Sequence, residues 1–209
     1  EMNIDLQTIL AFLVYGGCFL LYHHVYLYLT DKKPSLTKKG RINECYASWL
    51  GKITEGNQHL LLIHQLRNMI MSITFLASAS ILLIGFLLTY GLTEGASSNA
   101  LSAAGSIDYP IWLTFFTLTY SFLNLLLALR HINNLTVLVR SDPGKLEKIE
   151  RGSALDYLEK LFKKGSQRFM LGRRGFLYAM VVFFWYVDVW LFVGATVLLT
   201  VTLSYQHDF

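Results

Sequence analysis

Four apolar stretches alternate with polar segments along the 209 residues of the chain. They cover residues 6–29, 68–90, 110–129 and 176–204, and each is long enough to cross a bilayer as a helix, which takes roughly 20 residues. The first three contain no Lys, Arg, Asp or Glu, and the fourth contains one, Asp188. The pattern predicts an all-α polytopic membrane protein: a single membrane domain over 1–209 with four transmembrane helices. Two basic segments, 30–67 and 130–175, and one small polar loop, 91–109, join the spans. Within the basic segments, apolar residues return at helical spacing. Asn43–Ile53 sets Cys45, Trp49 and Leu50 among polar residues. Leu155, Leu158, Leu161 and Phe162 recur beside Lys160, Lys163 and Lys164. Both read as amphipathic interfacial helices in the loops.

Polar and small positions inside the spans are also periodic. On a helix of about 3.6 residues per turn, Arg67, Thr74, Ser78 and Gly85 form a narrow stripe with His64 at its edge. Thr117, Ser121, Asn124, Ala128 and His131 share a face of the third span. Such stripes are expected to face other helices rather than lipid. Gly16 and Gly17 predict close helix approach in the first span, which reads as a retained helix rather than a cleaved leader because its start is acidic and its apolar run long.

Charge placement orients this scheme. All 18 Lys and Arg fall between Lys32 and Arg67 or between Arg130 and Arg174. The positive-inside rule puts both basic segments in the cytoplasm. Four crossings then place both termini on the non-cytoplasmic side of what reads as a bacterial inner membrane. Basic runs beside a membrane attract anionic lipid headgroups, at about 1 kcal/mol per Lys or Arg. Membrane lipids are therefore the expected partners, with protein partners or a homo-oligomer, and nucleic acid is not. Composition agrees: 54% of residues are hydrophobic and only 15% charged, against about 25% charged in soluble domains. Cys18 and Cys45 read as free thiols on spacing and compartment.

The residues suited to chemistry are few. His24, His59, His64 and His131 all project toward the basic side, and a haem or metal held between helices there is one alternative. His59 and His64 are five apart, so they point about 140° away from each other and do not form a ready ligand pair. Asp188 offers an ion or proton path with Asn124 or Ser78 beside it, or else a hydrogen bond gluing two helices. Arg67, Asn68, Arg130 and Asn133 sit where spans meet basic segments and read as structural joints. Arg173 and Arg174, between Gly172 and Gly175, read as a lipid-phosphate contact. There is no nucleophile elbow, phosphate loop or dinucleotide glycine pattern, so no catalytic residue and no cofactor is expected.

Three blocks together resemble a known family. They are Gln65-Leu66-Arg67-Asn68 with Met71 and Phe75-Leu76-Ala77-Ser78; Leu129-Arg130-His131 with Asn133; and Leu171-Gly172-Arg173-Arg174-Gly175-Phe176 with Trp185 and Trp190. The chain resembles the uncharacterised membrane family designated domain of unknown function 599. The resemblance implies a four-helix integral membrane protein of bacteria and plants with no assigned activity, and carries no catalytic residues over. The expected function is thus non-catalytic: an accessory or structural subunit packing against a larger membrane complex or its own copies. A homo-oligomeric channel using Asp188 and a haem- or metal-binding redox subunit are the alternatives.

Overall fold

The computed structural model describes residues 6–33, 35, 37–55, 59–97, 109–141, 143–150 and 153–205, and these contain helices and turns but no strand. A first helical unit consists of α1 (Leu6–Gly16), a π-helical turn (Gly17–Leu21) and α2 (Tyr22–Lys32). It is followed by α3 (Lys38–Glu55), α4 (His59–Ser97), α5 (Tyr109–Leu138), α6 (Pro143–Glu150), α7 (Ala154–Val182) and α8 (Val189–Leu203). Three stretches, Leu6–Thr30, Leu60–Tyr90 and Tyr109–Leu138, are long and apolar enough to cross a membrane. With 39 residues, α4 is about 58 Å long at 1.5 Å per residue, well beyond the roughly 30 Å of a hydrocarbon core. Arg67 and Asn68 therefore sit inside an unbroken helix. The start of the predicted polar loop, 91–97, continues α4, and 98–108 lie outside the described residues.

The most extensive packing is between α5 and α7, which run antiparallel. Gly165 lies against Ile132, Gly172 against Leu125 and Gly175 against Ser121, while Ala179 and Leu118 share a buried cluster. Residues 165, 172 and 179 recur every seven positions, so they fall on one side of α7. Their lack of bulk lets the two backbones approach. A Cβ on Gly172 would fall 2.6 Å from Leu125 Cγ, and one on Gly165 2.6 Å from Ile132 Cδ1. Ser121 Oγ uses the same proximity to donate to the carbonyl of Gly172 at 2.6 Å. By contrast, a Cβ on Gly16 or Gly17 would meet nothing within 4 Å. The glycine pair expected to bring helices together instead borders the π-helical turn.

The fourth apolar stretch is not one helix. After Val182 the chain tightens into a 3-10 turn, Phe183–Tyr186, and reaches Asp188 in an extended conformation (φ −162°, ψ 139°). Asp188 caps α8, its carboxylate accepting from the Trp190 N–H at 2.6 Å. Side chains on either side of the bend meet. Trp185 stacks on Phe192 with centroids 4.8 Å apart, and the Tyr178 and Thr200 hydroxyls are 2.7 Å apart. On a continuous helix those last two would be separated by about 33 Å, so α8 folds back along α7. This replaces the expected single span over 176–204. The physical reason lies at Asp188: mid-bilayer burial of a carboxylate is costly, whereas at a helix start it satisfies exposed backbone N–H groups. Phe12 of α1 packs on Trp185, Tyr15 on Phe192, and the Cys18 carbonyl accepts from Tyr178 at 3.5 Å. Hence α8 runs in the same direction as α1. α8 ends beside the middle of the first helical unit, where Thr200 meets Tyr178 and Tyr178 meets the Cys18 carbonyl, and the single span on which the common placement of both termini rested is absent.

At the basic end, the amphipathic segments do not lie apart from the bundle. Thr37 opens α3, its hydroxyl accepting from the Gly40 N–H at 3.2 Å. Leu50 of α3, Leu62 and Leu66 of α4, Ile132 and Leu135 of α5, Leu146 of α6 and Leu158 and Leu161 of α7 form one buried cluster. The helical spacing expected for 155–162 holds, but its apolar stripe is covered by neighbouring helices. The described Lys and Arg side chains all belong to this end or to the adjoining part of α7.

A basic cavity as candidate functional site

The π-helical turn is the local feature from which the site is built. A π turn removes carbonyls from the regular i→i−4 ladder, and such turns are frequent at functional positions. Here the carbonyl of Phe19 receives His23 Nδ1 at 2.6 Å, a contact that calls for the Nδ1–H tautomer. His23 is thereby turned inward and buried. Its ring edge meets Tyr178, with centroids 5.4 Å apart.

Beside this turn, α1–α2, α5 and α7 enclose a cavity of about 530 Å³. Its apolar lining is Phe19, Leu20, Leu27 and Leu171. Its polar lining is His23 and His24 from α2, Tyr120 and His131 from α5, and Lys164, Gln167 and Arg168 from α7. Lys164, Gln167 and Arg168 share a face because residues three and four apart on a helix are neighbours. Arg168 is held in place from α5. Its Nη1 donates to Asn124 Oδ1 at 3.0 Å, and Asn124 Nδ2 donates to the Tyr120 carbonyl at 2.9 Å. Among the described residues, no Asp or Glu lines the cavity. Two permanent cations a turn apart, with three imidazoles and no countercharge in the wall, make an electropositive recess.

The structure brings some of the expected residues together and separates others. His24 and His131 line the same cavity, but His23 rather than His64 is the third histidine there. His64 is exposed on α4, and the His59 side chain lies outside the described residues. Among the described residues, no three His, Cys, Asp or Glu side chains are placed to hold one metal ion. Asn124 is buried on α5, about 22 Å along the helix from its start at Tyr109, where Tyr109 meets Phe12 and Phe12 meets Trp185. Asp188 is exposed at the bend. The pair expected to share a path therefore sits at different depths, and each carries out a separate task, one holding Arg168 and the other capping α8.

The GRRG stretch lies within α7. Arg174 is 1% exposed, its guanidinium 4.8 Å above the centre of the Tyr26 ring. Arg173 is half-buried. On α4, Thr74, Ser78 and Gly85 are exposed, and the face packed against α5 is Ile73, Ala77, Ser80, Ile84 and Leu87. Arg67, Asn68, Arg130 and Asn133 are exposed as well. Lys164, Gln167, Arg168 and Tyr120 are the site residues that sequence reasoning missed. For Lys164, Gln167 and Arg168 the readable signal was their spacing, had 154–182 been taken as one helix.

The architecture defines the class: an all-α chain with three helices long and apolar enough to cross a membrane. A family model described as protein of unknown function, DUF599, matches residues 10–209, and the chain belongs to that family. Neither the curated proteins nor the solved structures yield a match to the chain.

Proposed function

We propose that this chain is a non-catalytic integral membrane protein that packs, as an accessory or structural subunit, against a larger membrane complex or copies of itself. Its basic end faces the cytoplasm of a bacterial inner membrane. In this arrangement α1–α2, α4 and α5 cross the bilayer. The second half of α7 rises from the basic side, and α8 returns toward it. The observation that carries the subunit reading is the outer face of α4. Thr74, Ser78 and Gly85 stay exposed there among Met71, Phe75, Leu82 and Phe86, and a Cβ on Gly85 would meet nothing within 4 Å. Small and hydroxylated residues on a membrane helix favour close packing with another helix. The test is thiol crosslinking in native membranes through Ser78→Cys. Capture of a second copy or a stoichiometric membrane subunit, abolished by Gly85→Leu, is the expected result. A chain that remains monomeric and uncrosslinked, with Gly85→Leu silent, removes the reading.

A further inference from the structure

We propose that the cavity between α2, α5 and α7 is a binding site for a phosphate-class anion, with Lys164 and Arg168 as its ligands and Asn124 as the residue that positions Arg168. The electrostatics select the sign. Lys164 and Arg168 face the same 530 Å³ space, no described carboxylate lines it, and a bound anion relieves the repulsion between the two cations. Geometry selects the class. Arg presents five N–H donors in a fixed fork. Asn124 Oδ1 takes one of them at 3.0 Å, leaving the remaining donors of a pinned guanidinium for paired hydrogen bonds to phosphoryl oxygens, the arrangement in which Arg binds best. Lys164 adds a second charge one helical turn away.

The shape of the cavity favours a lipid as the bearer of that phosphate. On α5 the lining runs from Tyr120 to His131, about 16 Å along the axis. It extends from the apolar part of the helix to the point where Arg130 ends it. Lys164 and Arg168 are toward the basic end of the lining, and Leu20, 53% exposed, follows Phe19 at the Tyr120 end. A headgroup phosphodiester at Lys164 and Arg168 would thus leave its acyl chains running toward Leu20. A soluble phosphate compound offers the same oxygens without those chains, so the two sources are separable by experiment.

The experiment uses the full chain delipidated in neutral detergent, with native mass spectrometry as the readout. Phosphatidylglycerol, phosphatidylcholine and inorganic phosphate are the probes. Lys164→Gln and Arg168→Gln are compared with Lys160→Gln, which removes the same charge from an exposed α7 position outside the cavity lining. The expected result is retained phosphatidylglycerol on the wild type and Lys160→Gln, with about tenfold weaker retention in each cavity variant and little phosphatidylcholine on any. Inorganic phosphate that binds in a Lys164-dependent way without any lipid retention assigns the site to a soluble phosphate compound. Phosphatidylglycerol binding equal in all variants, or no binding of either anionic probe, overturns the proposal. If Arg168→Gln fails to fold once its bond to Asn124 is lost, Lys164→Gln decides alone.

Discussion

Gly172 of α7 lies so close to Leu125 of α5 that a Cβ there would fall 2.6 Å from Leu125 Cγ and 3.2 Å from its backbone nitrogen. The first neighbour can shift, but the second cannot without moving α5. Gly172→Ala is therefore expected to destabilise by about 1–3 kcal/mol, the usual cost of overpacking. Gly172→Val should cost more. Leu125→Ala should recover part of the Gly172→Ala loss, because it removes the side chain in conflict. Thermal unfolding of the single and double variants in detergent checks this. Additive losses would mean that the two helices do not approach here as described.

A second expectation concerns the fold-back of α8. Tyr178 and Thr200 meet only if the chain reverses at 183–188. Their hydroxyl pair lies within a buried apolar cluster of α1, α7 and α8. Interhelical hydrogen bonds among membrane helices average about 0.6 kcal/mol in double-mutant cycles. Tyr178→Phe combined with Thr200→Val should show coupling of that order. A paired Tyr178→Cys and Thr200→Cys variant should form an intramolecular crosslink. No crosslink and zero coupling would restore the single continuous span.

Asp188 gives a prediction in which charge and hydrogen bonding separate. As the cap of α8, its carboxylate accepts from the Trp190 N–H at 2.6 Å. An Asn oxygen can do the same, and caps rank Asn with Asp far above Ala. Asp188→Ala should thus cost about 0.5–2 kcal/mol, while Asp188→Asn should be close to neutral in stability. If Asn proves as harmful as Ala in unfolding measurements, the charge has a role that capping does not explain.

Three of the four apolar stretches were legible as long apolar helices because hydropathy and length are enough to mark them. So was the face of α5 carrying Thr117, Ser121, Asn124 and Ala128, all buried, because polar periodicity within an apolar run stands out. The reversal at Asp188 was not. Apolar sequence continues on both sides of it, and hydropathy carries no information on direction. The face of α4 that packs within the chain was not legible for a related reason. In a membrane the protein-facing and lipid-facing sides can be equally apolar, so Ile73, Ile84 and Leu87 on the buried side look no different from Leu82 and Phe86 on the exposed one. The cavity escaped notice because a basic loop and an apolar span were divided at 175/176. The seven-residue recurrence of Gly165, Gly172 and Ala179 crosses that line and marks one helix, α7, with Lys164 and Arg168 flanking its contact face.

Topology provides the last test, since the reversal changes the course of the chain after Asp188. Val187 is 77% exposed at the bend and Tyr205, beyond α8, is 87% exposed. Cys45 is an exposed thiol in α3 at the basic end and serves as an internal reference. With Cys18 replaced by Ser, single cysteines at Val187 and Tyr205 can be labelled by a membrane-impermeant maleimide in right-side-out and inverted vesicles. Ser98→Cys marks the opposite side. The fold-back arrangement expects Val187→Cys to label together with Ser98→Cys, and Tyr205→Cys not to label from the Ser98 side. A continuous fourth span expects something different at both positions: Val187→Cys shielded at mid-bilayer, and Tyr205→Cys labelled from the Ser98 side. The two arrangements thus disagree at each site. The bend also accounts for a carboxylate in the fourth stretch, because Asp188 is exposed there and bonded to a backbone N–H rather than buried mid-helix.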